Sequence, residues 1–196
     1  QRFGQLEKLL PYIDMPVQHG SDKMLKDMRR GLMSSGIRKR IDDLRKVKPD
    51  ISLRTSIIVG FPGERDSDFK ELYDFVEEIE FDRLGVFTYS EEEGTHGASF
   101  KDDVPTEIKT ERMDAIMMLQ QDMNWKKNQT LIGNIEKIII DRHSEDGSSI
   151  GRSYRDAPEV DNFVRVNEKL NIGEFYDVEI TEAFEYDLAA KRLVNA

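Results

Sequence analysis

Up to about residue 100 the chain alternates short apolar runs with amphipathic stretches, the order expected of βα units on a parallel sheet. Residues 12–17 read as a strand. After the loop Gln18-His19-Gly20-Ser21, the spacing of Met24, Leu25 and Met28 predicts a helix closed by Gly31 as its C-terminal cap. A second helix carries Ile37, Ile41, Leu44 and Val47 at helical spacing and stops before Pro49. Residues 51–59 end in a nearly continuous apolar run, as a strand buried on both faces would. Asp66 or Ser67 then caps a helix whose face is Phe69, Leu72, Tyr73, Val76 and Ile79, and residues 83–89 read as a third strand. Each strand leaves a polar or glycine-bearing loop at its C-terminal end, where parallel α/β folds bind their ligands.

A linker rich in Glu, Gly and Ser (residues 91–99) leads to a long helix, Thr106–Gln129, with Met113, Ile116, Met117, Gln120 and Met123 along one side; methionines at that spacing pack a core. From Leu131 the texture becomes short alternating stretches, residues 135–142, 150–154, 163–166 and 176–184. Turn signals at Asp146-Gly147, Asp161-Asn162 and Asn171 to Gly173 separate them, so a small antiparallel barrel is expected from about residue 130. Three βα units are too few to close a barrel of their own, and the chain opens on Gln1, so a piece of a longer protein is expected.

Composition narrows the chemistry. With no cysteine among 196 residues, disulfides, zinc–cysteine sites and cysteine-ligated iron–sulfur clusters are excluded within this chain, and no metal is expected. His19, His96 and His143 are far apart and match no metal spacing; His96 and His143 read as surface or loop residues. A formal charge of −10 argues against general affinity for nucleic acid phosphates and suits a basic partner. No apolar run reaches a membrane span and residues 1–10 do not resemble a signal peptide, which points to no membrane and a cytoplasmic protein.

Two loops hold the candidate chemistry. Val59-Gly60-Phe61-Pro62-Gly63-Glu64 joins a buried strand to a helix, and its glycines suit either a plain structural turn or a close ligand approach. It lacks the lysine and Ser/Thr of a P-loop. Gln18 to Ser21 offers amide, imidazole and hydroxyl groups at a strand end, with Ser21 equally suited to capping the next helix. Asp14 and Glu64 read as paired or capping carboxylates.

In combination these segments resemble the radical S-adenosylmethionine (SAM) methylthiotransferases. Tyr12 to Asp22 with Leu25 and Met28-Arg29-Arg30-Gly31 is similar to the family's fourth-strand segment, Arg54 to Glu64 with Asp68-Phe69 to its fifth, and Phe81 to Ser90 through Gly94-Thr95 to its sixth. The stretch after residue 130 resembles the closing TRAM domain. Tyr89 to Thr95, Gly151 to Asp161, residues 180–184 and Tyr186 to Leu188 look like the branch acting on ribosomal protein uS12. The tRNA-modifying branch and a non-catalytic partner-binding module stand as alternatives.

The resemblance implies an α/β fold: residues 1–129 as the C-terminal half of a radical SAM (βα)6 partial barrel, and 130–196 as a small, OB-like TRAM barrel. It implies SAM and two [4Fe–4S] clusters as cofactors of the longer enzyme, with the cluster ligands and all catalytic residues outside this chain, leaving the fragment inactive alone. Gln18 and Ser21 would contact the ribose or methionine end of SAM. Ile58, Gly60 and Phe61 would line the adenine, Phe87 and Tyr89 would close the site, and Arg54 would be a polar contact inside the barrel. The reaction implied is methylthiolation of the β-carbon of an aspartate, and the partner is uS12 or the small ribosomal subunit. From Gln129 onward 8 Lys and Arg face 14 Asp and Glu, a net of −6, which disfavours tRNA. Asp156, Glu159 and Asp161, beside turn-like sequence, are the expected partner-binding carboxylates.

Overall fold

The computed structural model describes residues 8–193, so most of the stretch read for a signal peptide lies outside the described residues. The chain divides into two compact units, Gln1–Gln120 and Gln121–Ala196. None of the helices among the described residues is long and apolar enough to cross a membrane.

In the first unit a parallel sheet runs in the order β1 (Tyr12–Asp14), β2 (Ser52–Val59), β3 (Arg83–Thr88). Along β2, Leu53, Thr55, Ile57 and Val59 are buried while Arg54, Ser56 and Ile58 are half-buried on the opposite face. The first strand is shorter than residues 12–17, for a chemical reason. Pro16 has no amide hydrogen to give the ladder, and the Thr55 hydroxyl fills in: Oγ1 accepts from Val17 N at 3.2 Å and donates to Met15 O at 3.0 Å. Pairing resumes only as an isolated bridge from Gln18 to Ile57, with Gln18 in the left-handed region at φ 75°.

Helix α1 (Asp22–Asp27) buries Met24 and Leu25 but ends earlier than expected. Arg29, at φ 55°, makes the left-handed turn assigned to Gly31, and Arg30 N returns to Leu25 O at 2.8 Å, the six-to-one bond of a Schellman motif. Helix α2 (Ser34–Val47) buries Ile37 and Ile41. Helix α3 (Asp66–Ile79) starts one residue earlier than expected, on Arg65, whose amide donates to Asp68 Oδ2 at 3.0 Å. Its inward face is Leu72, Phe75, Val76 and Ile79, with Phe69 and Tyr73 only half-buried. Helix α4 (Thr106–Gln129) departs further from the methionine stripe. Ile116, Gln120 and Met123 are buried, but Met113 and Met117 are half-exposed, and the other buried positions are Lys109, Arg112, Asn124 and Asn128. These polar groups have partners: in the first unit Gln120 Nε2 donates to Phe81 O at 2.9 Å, and in the second Asn128 Nδ2 donates to Phe184 O at 3.0 Å and Tyr186 O at 3.1 Å.

The second unit contains a closed five-stranded barrel of β4 (Ile135–His143), β5 (Ser149–Arg152), β6 (Val164–Val166), β8 (Leu188–Arg192) and β7 (Phe175–Ala183), in that order. Alternate residues fill it: Ile138, Ile140, Val164, Val166, Val178 and Ile180 are buried. Closure removes the open edges that tempt strands to aggregate. The barrel is not wholly antiparallel. Leu188–Arg192, unremarkable in sequence, pairs in parallel with β6 and antiparallel with β7 and so completes the ring.

Candidate functional site

A cleft of about 520 Å³ opens at the C-terminal ends of β2 and β3, a volume suited to a small molecule. Its lining includes Gln18, Ile58, Phe61, Phe87 and Tyr89, five of the eight residues singled out for cofactor binding. The sheet register brings them together: Ile58 is the cross-strand neighbour of Phe87, and Gln18 is bridged to Ile57. Phe61 stands edge-on to Tyr89 with ring centroids 5.0 Å apart. Phe87 is more than half exposed, an aromatic face turned to solvent at the mouth. The Tyr89 hydroxyl is buried yet makes no hydrogen bond among the described residues. Burial, with Glu91 and Asp102 nearby, raises its pKa, so it stays a donor at neutral pH. Aromatic walls plus an unspent donor suit a flat heteroaromatic ligand.

Gly60 supports the cleft from behind. Its φ is +70°, and a Cβ there would collide with the Lys109 side chain, so both conformation and space require glycine. Arg54 lies on the same face of β2 as Ser56 and Ile58 but four residues upstream of Ile58, roughly 13 Å at a strand's rise. It pairs with Asp14 Oδ2 at 2.9 Å. Ser21 does not reach the cleft: it is buried, and its hydroxyl donates to Asp68 Oδ1 at 3.0 Å.

A buried ionic cluster fixes the turn after β2. Glu64 Oε2 accepts from Gly60 N at 2.7 Å and Phe61 N at 3.3 Å, while Oε1 takes Arg112 Nη1 at 2.9 Å. His19, fully buried, accepts from Ser21 N at its Nδ1 (2.9 Å), which leaves Nε2 as the protonated nitrogen, 3.5 Å from Glu64 Oε2. Arg112 also binds Asp66 Oδ1 at 2.7 Å, and Lys109 Nζ meets Asp102 at 2.5 Å. Burial alone would raise the pKa of Asp68, but the Arg65 amide, the Ser21 hydroxyl and the charge of Lys23, with the His19 imidazole nearby, together hold it below the ordinary carboxylate range. Glu64 as a capping and paired carboxylate was legible from its loop. The roles of Lys109 and Arg112 were not, because they come from a helix some fifty residues away.

Of the three carboxylates expected to meet a partner, the structure exposes only Glu159. Asp156 is buried, contrary to expectation, and accepts from Ser153 Oγ at 2.9 Å. Asp161 is half-buried and accepts from Ala157 N at 2.8 Å. Both brace the turn whose sequence suggested exposure. Glu159 sits at its tip with φ 66°. A larger groove of about 770 Å³ lies on the barrel unit beside Phe163 and Phe184, but its Asp146 and Glu168 are paired to Arg165 and Arg192.

Residues 132–193 match the TRAM domain family. The chain is 43% identical over 189 residues to the ribosomal protein uS12 methylthiotransferase RimO of Christiangramia forsetii, covering 95% of this chain and 42% of that protein. The corresponding proteins of Acetivibrio thermocellus and Cytophaga hutchinsonii are 48% identical over 185 residues and 49% over 189, covering 93% and 95% of this chain. The chain spans 41% to 43% of the length of these relatives. Along nearly all its residues the chain is similar to the C-terminal part of these methylthiotransferases, and its last third matches the TRAM domain family.

Proposed function

We propose that the chain is the C-terminal part of an enzyme that methylthiolates the β-carbon of an aspartate in ribosomal protein uS12, working in the cytoplasm with SAM and two [4Fe–4S] clusters. The observation that carries this reading is the 43–49% identity to uS12 methylthiotransferases over nearly the whole chain. In this reading residues 1–129 are the C-terminal half of a radical SAM partial barrel and 130–196 the TRAM domain.

The cleft fits the nucleoside of SAM. Ile58, Phe61 and Phe87 offer apolar and aromatic faces to the adenine, the buried Tyr89 hydroxyl supplies a donor, and Gln18 stands at the ribose side. SAM when bound supplies the radical and methyl chemistry; these residues orient it and exclude water. Gly60 keeps the backbone close, while Ser21 and Arg54 act from behind and below, through Asp68 and Asp14. The clusters do not fit the chain's own residues, since it has no cysteine.

The acidic second unit suits a basic ribosomal protein, with Glu159 as the exposed carboxylate and Asp156 and Asp161 holding it in place. Titrating the chain with uS12 and with tRNA at two ionic strengths tests this. Salt-sensitive binding to uS12 with little affinity for tRNA is expected; tight tRNA binding with no response to uS12 moves the reading to the tRNA-modifying branch.

A further inference from the structure

Lys109 stands behind the cleft, in the first turn of α4, and is only 6% exposed. A buried ammonium needs partners close by. The methylenes of the side chain occupy the space that a Cβ on Gly60 would fill, so the glycine opens the path along which the lysine runs. Beyond it the ammonium meets three groups. Nζ donates to Asp102 Oδ2 at 2.5 Å and to Tyr89 O at 3.3 Å, and it lies 5.2 Å from the centroid of the Tyr89 ring.

Two of those three groups belong to one residue. Tyr89 follows β3, and its amide donates to Val59 O at 2.8 Å. Phe61 stands edge-on to its ring, and a Cβ on Gly97 would come within 3.0 Å of its hydroxyl oxygen, so that turn leaves just the room the hydroxyl needs. Lys109 adds a hold on the carbonyl and a cation facing the ring, an attraction that favours one ring placement. Asp102 balances the ammonium, so the pair brings no net charge to the cleft. All this surrounds a buried hydroxyl that has no acceptor among the described residues. We infer that Lys109 is a positioning residue: its ammonium fixes Tyr89 so that the hydroxyl donates to a nucleoside in the cleft.

The inference rests on the SAM reading of the cleft and deepens it by naming what aims the donor. Two measurements on the chain test it. The first is a double-mutant cycle of Lys109→Met, which keeps the stem but not the charge, and Tyr89→Phe, read by calorimetric titration with 5′-methylthioadenosine. Lys109→Met is expected to weaken binding about three- to tenfold, the scale of one hydrogen bond, and to add nothing in the Tyr89→Phe background. A lysine that merely stabilised the fold would cost as much in either background. The second needs no ligand: in chain labelled with ring-¹³C tyrosine, the NMR signal missing from Tyr89→Phe belongs to Tyr89. It should shift in Lys109→Met and also in Asp102→Asn, which frees the ammonium and leaves the packing in place, with slow amide exchange along β2 retained. If Lys109→Met does not fold, Asp102→Asn takes its place in the cycle. An equal loss in both backgrounds, no loss at all, or an unmoved Tyr89 signal overturns the inference and leaves the SAM reading standing. A wild type that does not bind the nucleoside, with the Tyr89 signal still shifting, overturns the SAM reading and keeps the hold of Lys109 on Tyr89. No binding together with an unmoved signal overturns both.

Discussion

The two units of this chain spend their interiors differently. The barrel is packed with Ile and Val, and most of its ion pairs lie at the surface, such as Lys191 with Glu179 at 3.0 Å. The parallel-sheet unit also has an apolar core, around Leu53, Ile57, Leu72 and Phe75, yet it buries His19, Glu64, Asp68, Lys109 and Arg112 close to the loops that form its cleft. Buried charges add little net stability over apolar packing but are costly to break. A fold that concentrates them behind one turn gains a rigid backbone at that turn, whereas a barrel whose strands close on themselves has no such need.

Substitutions can break or sharpen this contrast. Glu64→Ala should have the largest effect: it strips two amides of their acceptor and leaves Arg112 with its buried side uncompensated, which costs about 3–5 kcal/mol. Slow amide exchange along β2 reports the first unit, and Trp125, the one tryptophan of the sequence, reports the second. Loss of protection in β2 with an unchanged Trp125 transition is the expected pattern. A loss no larger than that of a surface pair would remove the distinction between the units. Ile140→Ala, at 1% exposure in the barrel core, should cost roughly 2–5 kcal/mol and shift the Trp125 transition in urea.

Next in size is a pH effect. Because the folded pKa of Asp68 lies below its unfolded value, its contribution to stability is present above the unfolded pKa and fades as pH falls through the folded one. Asp68→Asn should therefore flatten the acid limb of stability in the first unit; an unaltered acid limb would show the Ser21 and Arg65 bonds to be of no consequence. Asp156→Asn, which weakens the brace from Ser153, should cost about 1 kcal/mol in the barrel unit. Glu159→Gln should leave stability alone and slow only the association with uS12, read by stopped-flow mixing at low salt. Smallest of all, Glu179→Gln at the exposed pair with Lys191 should cost under about 1 kcal/mol.

Much of this was legible in the sequence, and the exceptions share a cause. Apolar period marked β2, α2 and α3, and it marked the change of texture near residue 130, because those elements bury side chains on a regular face. The strand ends marked where a ligand would sit, and the family resemblance singled out Gln18, Ile58, Phe61, Phe87 and Tyr89, which the sheet register gathers into one cleft. Where polar groups do structural work, local reading failed. Pro16 and the Thr55 hydroxyl cut β1 short, and Arg29 rather than Gly31 turned the chain after α1. Asp156 looked exposed because it lies beside a turn, yet it folds inward to hold that turn. Helix α4 read as a methionine stripe because only apolar side chains register as periodic, so Lys109 and Arg112 passed as solvated charges.

The sequence alone determined most of the element types, the absence of any thiolate to bind iron, the acidic balance and, through its motifs, the family resemblance. Those follow from composition and from periodicities that a chain expresses locally. Only the tertiary structure decided which charges are buried and with whom. Glu64 meets Arg112 across 48 residues of chain, and Ser21 meets Asp68 across 47. Nothing in either partner's own neighbourhood announces the pairing, because the energy that selects it arises when folding removes water from both at once.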